Sequence, residues 1–171
     1  MFVLITLFVI VLFILMTCLP LNIKKLRPTV IGILMKQFHK KLGKPKLKLF
    51  HQAFKNIESN NKSGRLDILE IGVGGGENFK HYPKNANITI LDKTDGFRKF
   101  YEESIRNNNR PDLNISKLVV NYAENMHSIE SNSMDAVLHT FFLCSVNDRR
   151  KVYSEIYRVL KPGGVCLFME H

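Results

Sequence analysis

Acidic residues are missing from the first third of this 171-residue chain. Residues 1–57 contain ten Lys or Arg and no Asp or Glu, whereas residues 58–171 contain fifteen basic and fifteen acidic side chains. The net charge of +10 therefore belongs to the N-terminal segment, and the rest of the chain is neutral. A neutral domain argues against a groove that tracks phosphates, so we predict no nucleic-acid partner.

Cysteine is also scarce. Cys18, Cys144 and Cys166 are scattered along the chain and form no C-x-x-C pair. This spacing argues against a disulfide framework and against a zinc site, and it fits a reducing compartment. The six histidines show no ligand spacing either, so we predict no metal.

One long hydrophobic run stands out at the N-terminus. Residues 2–21 carry no charge, and fifteen of the twenty are Leu, Ile, Val or Phe. Membrane insertion of such a run is favourable by roughly 5–9 kcal/mol. No basic residue precedes the run and no small-residue cleavage site follows it, which argues against a signal peptide. We predict a retained membrane anchor over residues 1–23, with the rest of the chain in the cytosol because basic residues follow at once.

A basic juxtamembrane segment is predicted over residues 24–60. Residues 28–42 have an amphipathic helical pattern that suits the surface of an anionic membrane, where each lysine contributes ~1 kcal/mol. A solvated linker helix and a monotopic hairpin with the anchor are the alternatives. Gly43-Lys44-Pro45 predicts a helix break. From residue 46 a second helix follows, and its apolar face is formed by Leu47, Phe50, Phe54 and Ile57.

Residues 66–76 combine an apolar run with glycine at 72, 74, 75 and 76. The run predicts a strand buried on both faces, and the glycines predict a turn that brings the backbone close to a ligand. The spacing is E-x-G-x-G-x-G, from Glu70 to Gly76. A dinucleotide loop has G-x-G-x-x-G, and Glu77 stands where its last glycine belongs.

Strands and helices alternate through the rest of the chain. We predict a short helix over residues 77–82, further strands at 87–92, 115–120, 134–141 and 165–169, and helices at 95–107 and 148–160. This order predicts an α/β fold with a doubly wound, mostly parallel sheet over residues 61–171, whose site lies at the carboxyl ends of the strands. Asp92 ends the second strand, where a carboxylate can accept hydrogen bonds from both ribose hydroxyls.

The glycine motif resembles motif one of the class I S-adenosylmethionine (SAM)-dependent methyltransferases, which have a Rossmann-like fold. The turn Arg158-Val-Leu-Lys-Pro-Gly-Gly164 is similar to one in the same fold. Glu77-Asn-Phe-Lys-His-Tyr-Pro83, Leu143-Cys-Ser-Val146 and Glu170-His171 resemble, more narrowly, the membrane-associated thiol S-methyltransferases of the methyltransferase-like protein 7 group. The resemblance implies SAM as cofactor, a small lipophilic thiol as substrate, and a place on the endoplasmic reticulum membrane and lipid droplets.

The resemblance also implies the roles of individual residues. Tyr122 stands where the family usually has an acid near the adenine. No catalytic residue is identified, because a thiol needs no strong base; His139 or His171 is a candidate proton acceptor, with a structural role as the alternative. The expected cofactor-binding residues are Glu70, Gly72, Gly74 and Gly76 near the methionine part, Asp92 at the ribose, Ala123 and Glu124 beside the adenine, and Thr140 and Phe141 at the floor.

Two rival interpretations stay open. The chain stops where strand five should end, and the family's further helix and two strands are absent, so a truncated, inactive SAM-binding or membrane-tethered scaffold protein is the alternative function. The Y-x-x-x-K pattern from Tyr157 to Lys161, with Ser145 upstream, is similar to that of short-chain dehydrogenases. Pro162 directly after Lys161 argues against a mid-helix catalytic pair. The sequence leaves the oligomeric state open.

Overall fold

The computed structural model describes residues 43–60 and 64–170. The predicted anchor and the amphipathic pattern of residues 28–42 lie outside the described residues. Within the two described ranges, no helix is both long enough and apolar enough to cross a membrane.

Five strands form one sheet in the order β3-β2-β1-β4-β5, and every neighbouring pair is parallel. The parallel Rossmann-like sheet predicted from the alternating pattern is therefore confirmed. The elements in chain order are α1 (Gly43–Asn60), β1 (Asp67–Ile71), β2 (Asn87–Asp92), α2 (Arg98–Asn107), β3 (Asn114–Val120), β4 (Met134–Thr140), α3 (Arg149–Val159) and β5 (Leu160–Met169).

The central strands are buried on both faces, because their apolar side chains alternate between two core layers. Ile68 of β1 packs toward α1 and α2 together with Phe54 and Tyr101. Its neighbour Leu69 packs toward α3 together with Val152. All seven residues of β4 are buried, including the polar side chains of Asp135, His139 and Thr140.

Helix α1 differs from its prediction at two points. It begins at Gly43 and not at residue 46, since a proline in the first turn removes no intrahelical hydrogen bond. Phe50, Phe54 and Ile57 are buried as predicted. Leu47 shares their helical period but is 53% exposed, because it borders a groove described below.

The segments that connect the strands differ from their predictions more than the strands do. The helix predicted over residues 77–82 is a single 3-10 turn, Phe79–His81. The predicted helix over residues 95–107 begins later, at Arg98. Asp148 was placed inside the next helix but caps it, accepting hydrogen bonds from the backbone of Arg150 and Lys151. Residues 121–133 connect β3 to β4 without a helix, while the strand order still reverses between β1 and β4 as in a doubly wound sheet.

Strand β5 was expected to begin at residue 165. Leu160 already pairs with Met134, and a register shift follows before Val165 pairs with Ala136. The Lys-Pro-Gly-Gly turn accounts for the shift, because a proline and two glycines interrupt regular pairing. No strand of the described residues pairs with the outer edge of β5.

Candidate cofactor site

Glu70 is the buried centre of the site. Its Oε1 accepts a hydrogen bond from Nδ2 of Asn78 at 2.7 Å, and its Oε2 accepts one from the hydroxyl of Tyr82 at 2.6 Å. Burial raises the pKa of Glu70 to about 7, and the two hydrogen bonds oppose that rise. The carboxyl group thereby ties the end of β1 to the segment that follows the glycine loop.

A lysine from α1 lies close to this carboxyl group. Lys46 is 1% exposed, and its ammonium group lies 5.7 Å from the centre of the Phe50 ring. Burial lowers the pKa of Lys46 to about 8, while the charge of Glu70 opposes that shift. Sequence reasoning missed Lys46, because it stands among several lysines and nothing in the pattern distinguishes it from them.

The glycine loop needs its glycines at three positions. Gly72, Gly74 and Gly76 have φ angles of +68°, +51° and +73°, which side-chain-bearing residues rarely adopt. A Cβ on Gly72 would lie 2.9 Å from the ring of Phe142, and one on Gly76 would lie 3.1 Å from the ring of Phe79. A Cβ on Gly74 would meet nothing within 4 Å, so the loop is open to a ligand at this position.

A small polar cleft of about 40 Å³ lies inside this loop. Asn78 and Thr140 line it, and Nδ2 of Asn78 also donates to Oγ1 of Thr140 at 3.3 Å. The side-chain oxygen of Asn78 is buried, and no group of the described residues donates to it. A buried acceptor without a donor costs about 1–3 kcal/mol, so this oxygen suits a ligand that brings an N–H group. Asn78 was not among the predicted site residues.

Asp92 lies beside the same loop, at the end of β2. Gly72 donates its N–H to the carbonyl oxygen of Leu91 at 2.8 Å, which holds the two strand ends together. Burial raises the pKa of Asp92, and the backbone N–H groups of Thr94 and Gly74 oppose the rise. The structure therefore brings Glu70, the glycines and Asp92 together at the carboxyl ends of β1 and β2.

The residues predicted beside the adenine have local partners. Ala123 is buried in the core layer that faces α3. Oε1 of Glu124 accepts hydrogen bonds from the backbone N–H groups of Asn147, at 2.7 Å, and Asp148, at 3.3 Å. Glu124 thus holds the β3–β4 loop to the start of α3, and Tyr122 beside it is 60% exposed. An adenine contact for Ala123 and Glu124 stays a prediction.

The residues predicted at the floor of the cofactor site, Thr140 and Phe141, lie at the end of β4. Phe141 has a φ of +52°, and its N–H donates to the carbonyl oxygen of Met169 at 2.9 Å. This conformation costs a bulky residue of order 1–3 kcal/mol, and such strain concentrates at ligand sites. The turn places Phe142 against Gly72 and leaves the hydroxyl of Thr140 in the cleft.

His139 points to the opposite face of the sheet. Its Nδ1 lies 2.8 Å from Oε1 of Glu170, and its ring stacks on Phe168 beside Tyr153 of α3. Thr140, the next residue, faces the cleft, so His139 faces away from it. Burial lowers the pKa of His139, and the contact with Glu170 opposes that shift. The geometry favours the structural role for His139, while His171 lies outside the described residues.

The dehydrogenase-like pattern is not assembled as a site. Tyr157 is 85% exposed on α3. Nζ of Lys161 lies 3.2 Å from Oδ2 of Asp67 and 3.0 Å from Oδ2 of Asp135. These aspartates stand at the amino ends of β1 and β4, at the opposite end of the sheet from the glycine loop. The Y-x-x-x-K match therefore carries no dehydrogenase chemistry.

Comparison with known proteins finds a matching family and several similar sequences. Residues 69–168 match the family described as "Methyltransferase domain". The chain is 38% identical to mouse thiol S-methyltransferase TMT1B over 144 residues, which cover 84% of this chain and 57% of that protein. It is 41% identical to human thiol S-methyltransferase TMT1A over 121 residues, which cover 70% of this chain and 49% of that protein. The chain thus spans about half the length of the curated relatives it matches.

Solved structures share the fold at lower sequence identity. One is a Methanococcus maripaludis protein assigned to the S-adenosyl-L-methionine-dependent methyltransferases, with a TM-score of 0.57 and 22% identity over 81% of this chain and 62% of that one. Another is the arsenic(III) S-adenosylmethionine methyltransferase CrArsM of Chlamydomonas reinhardtii, with a TM-score of 0.50 and 23% identity over 60% of this chain and 38% of that one.

Proposed function

The chain belongs to the methyltransferase-domain family and its cofactor is S-adenosylmethionine, and from this premise we propose that it methylates small lipophilic thiols while anchored to a membrane. The observation that carries the proposal is the convergence of the buried Glu70 network, the open glycine loop and Asp92 at one sheet edge. Two relatives of this chain are named thiol S-methyltransferases.

The residues present fit this cofactor. The buried side-chain oxygen of Asn78 would accept a hydrogen bond from the cofactor's ammonium group, and Asp92 would accept from its ribose hydroxyls. The backbone at Gly74 allows close approach, since nothing stands within 4 Å of the position of a Cβ there. When bound, SAM supplies a methyl group on a sulfonium, which a nucleophile displaces in line.

A thiol suits what the chain offers around the cleft. The histidine nearest in sequence to the floor, His139, is held by Glu170 on the other face of the sheet. A thiol with a pKa near 8.5 is already a few per cent ionised at neutral pH, so alignment and exclusion of water are enough. Phe142 contributes an apolar ring beside Gly72.

Membrane anchoring is supported by the sequence of the N-terminal segment. The uncharged residues 2–21 suit a bilayer, and the lysines that follow suit an anionic lipid surface on the cytosolic side. The endoplasmic reticulum membrane and lipid droplets are the proposed locations, with the methyltransferase domain facing the cytosol and membrane lipid as a partner.

The orientation predicts that Asn61 carries no glycan in cells. Asn61-Lys-Ser is an N-x-S/T acceptor sequence in a polar stretch that a lumenal enzyme would reach. It is the best reporter of three, because the side chains of the other acceptors, Asn87 and Asn114, bond to each other at 3.0 Å. Glycosidase treatment should leave the mass of the protein unchanged. A mass shift that disappears in Asn61→Gln would place the domain in the lumen.

The rival function, a membrane-tethered SAM-binding scaffold, is favoured by the outer edge of β5. That edge has no neighbouring strand among the described residues, and Phe168 on β5 is 54% exposed. Calorimetric titration of the full chain with SAM, followed by a methylation assay on a small lipophilic thiol, separates the two functions. Binding with formation of the methyl thioether supports the enzyme, and binding without turnover supports the scaffold.

A further inference from the structure

A groove separate from the cofactor cleft runs between α1 and residues 80–83. It encloses about 520 Å³ and opens to the surface. Its apolar wall is formed by Leu47, Phe54, Tyr82 and Pro83. Tyr82 links the two sites, since its ring lines the groove while its hydroxyl donates to Glu70.

The polar lining of the groove is basic. Lys55, Lys80, His51 and His81 complete it, and no lining residue is acidic. In the described part of the chain, neither Lys55 nor Lys80 lies within salt-bridge distance of a carboxylate. Nε2 of His81 is buried, and no described group forms a hydrogen bond with it. The groove therefore offers two ammonium groups beside an apolar wall.

Helix α1 exposes two leucines, of which Leu47 lines the groove. Leu47 is 53% exposed and Leu49 is 38% exposed, with the exposed Lys48 between them. The exposed part of α1 therefore carries both leucine and lysine side chains. Six basic residues between positions 24 and 41 precede this helix in the sequence.

The chemistry of the groove selects among ligands. Free phosphate would use the lysines but leave the apolar wall uncovered. A nucleic acid needs a longer basic track than the two lysines of the groove supply. An anionic amphiphile uses both features, because its head group meets the ammonium groups while its chain covers the apolar wall.

We propose that the groove between α1 and residues 80–83 is a docking site for an acidic phospholipid of the membrane to which the chain is anchored. The head group lies between Lys55 and Lys80, and the upper acyl chain lies along Leu47 and Phe54. This inference rests on the membrane anchoring proposed above. It adds a lipid-selective site where α1 packs against the methyltransferase domain.

The absence of tryptophan from the chain allows a direct test. Leu47→Trp introduces a single fluorophore at a half-exposed groove position, and His51→Trp is a second reporter at an exposed one. The full-length chain is incorporated into phosphatidylcholine vesicles that contain phosphatidylserine. Two vesicle preparations have the same lipid composition. In one the acyl chains of phosphatidylserine carry bromine, which quenches tryptophan fluorescence, and in the other those of phosphatidylcholine carry it. We expect stronger quenching from brominated phosphatidylserine than from brominated phosphatidylcholine.

Matched variants assign the selectivity to the groove. Lys55→Gln with Lys80→Gln should reduce the preference for phosphatidylserine by roughly fivefold or more, since a surface lysine contributes ~1 kcal/mol toward anionic lipid. Lys99→Gln with Lys151→Gln, an exposed pair outside the groove, should leave it unchanged. Tyr157→Trp, on the other side of the sheet, should show no lipid preference.

The outcomes separate this inference from the proposed anchoring. If the chain floats with the vesicles but both brominated lipids quench equally, or neither quenches, the groove is not an anionic-lipid site and anchoring stands. If the chain does not float with the vesicles, anchoring and the groove proposal both fail. Unchanged selectivity in the Lys55 and Lys80 variant would also overturn the proposal.

Discussion

Asp92→Ala is expected to weaken the binding of SAM by about 30-fold or more, or ~2–4 kcal/mol. The carboxylate at the end of β2 is buried beside the glycine loop, where it can accept hydrogen bonds from both ribose hydroxyls. Alanine removes both acceptors and the charge at once. Calorimetric titration of the folded full chain with SAM measures the loss.

Two further variants sharpen this result. Asp92→Asn keeps one acceptor of similar shape and should bind SAM with an intermediate affinity. Glu103→Ala removes a carboxylate from the exposed surface of α2 and should leave the affinity unchanged. An unchanged SAM affinity in folded Asp92→Ala would remove Asp92 from the site.

Glu70→Gln is expected to abolish a pH dependence of about 3 kcal/mol in the free energy of unfolding. Burial raises the pKa of Glu70 from 4.5 to about 7. Because the folded-state pKa lies above the unfolded one, the protonated carboxyl group stabilises the fold fully below pH 4.5. That contribution is lost as the pH rises through about 7. Glutamine has no such titration.

Denaturant unfolding of both proteins between these pH values tests this expectation. The difference between their free energies of unfolding should change by about 3 kcal/mol over the interval, because titrations elsewhere in the chain cancel. Parallel curves would show that Glu70 does not titrate in this range. Since SAM is cationic, it should favour the ionised carboxyl group, and its binding should tighten as the pH rises through about 7.

The strands could be predicted closely because their burial leaves a mark in the sequence. Residues 87–92 form β2 as expected, since five of the six side chains are buried and the run ends at a carboxylate. The glycine loop could be recognised because its backbone geometry excludes side chains at Gly72 and Gly76. These features depend on local sequence, which one chain shows directly.

Features that depend on tertiary contacts were missed. The buried oxygen of Asn78 becomes important only after Glu70 and Thr140 have engaged the other end of the same amide. Leu47 has the period of a core residue, but the groove leaves it exposed. Similarly, the sequence did not show that Glu124 would bond to the start of α3, 23 residues away.

The central claim, methyl transfer to a thiol, is tested most directly with a pair of nucleophiles that differ in one atom. The full-length chain in membranes is incubated with SAM carrying an isotopically labelled methyl group and with a lipophilic thiol or the alcohol of the same carbon skeleton. We predict labelled methyl thioether from the thiol, no methyl ether from the alcohol, and loss of the thioether in Asp92→Ala. Labelled ether at a comparable rate, or no labelled thioether from a folded chain that binds SAM, would contradict the claim.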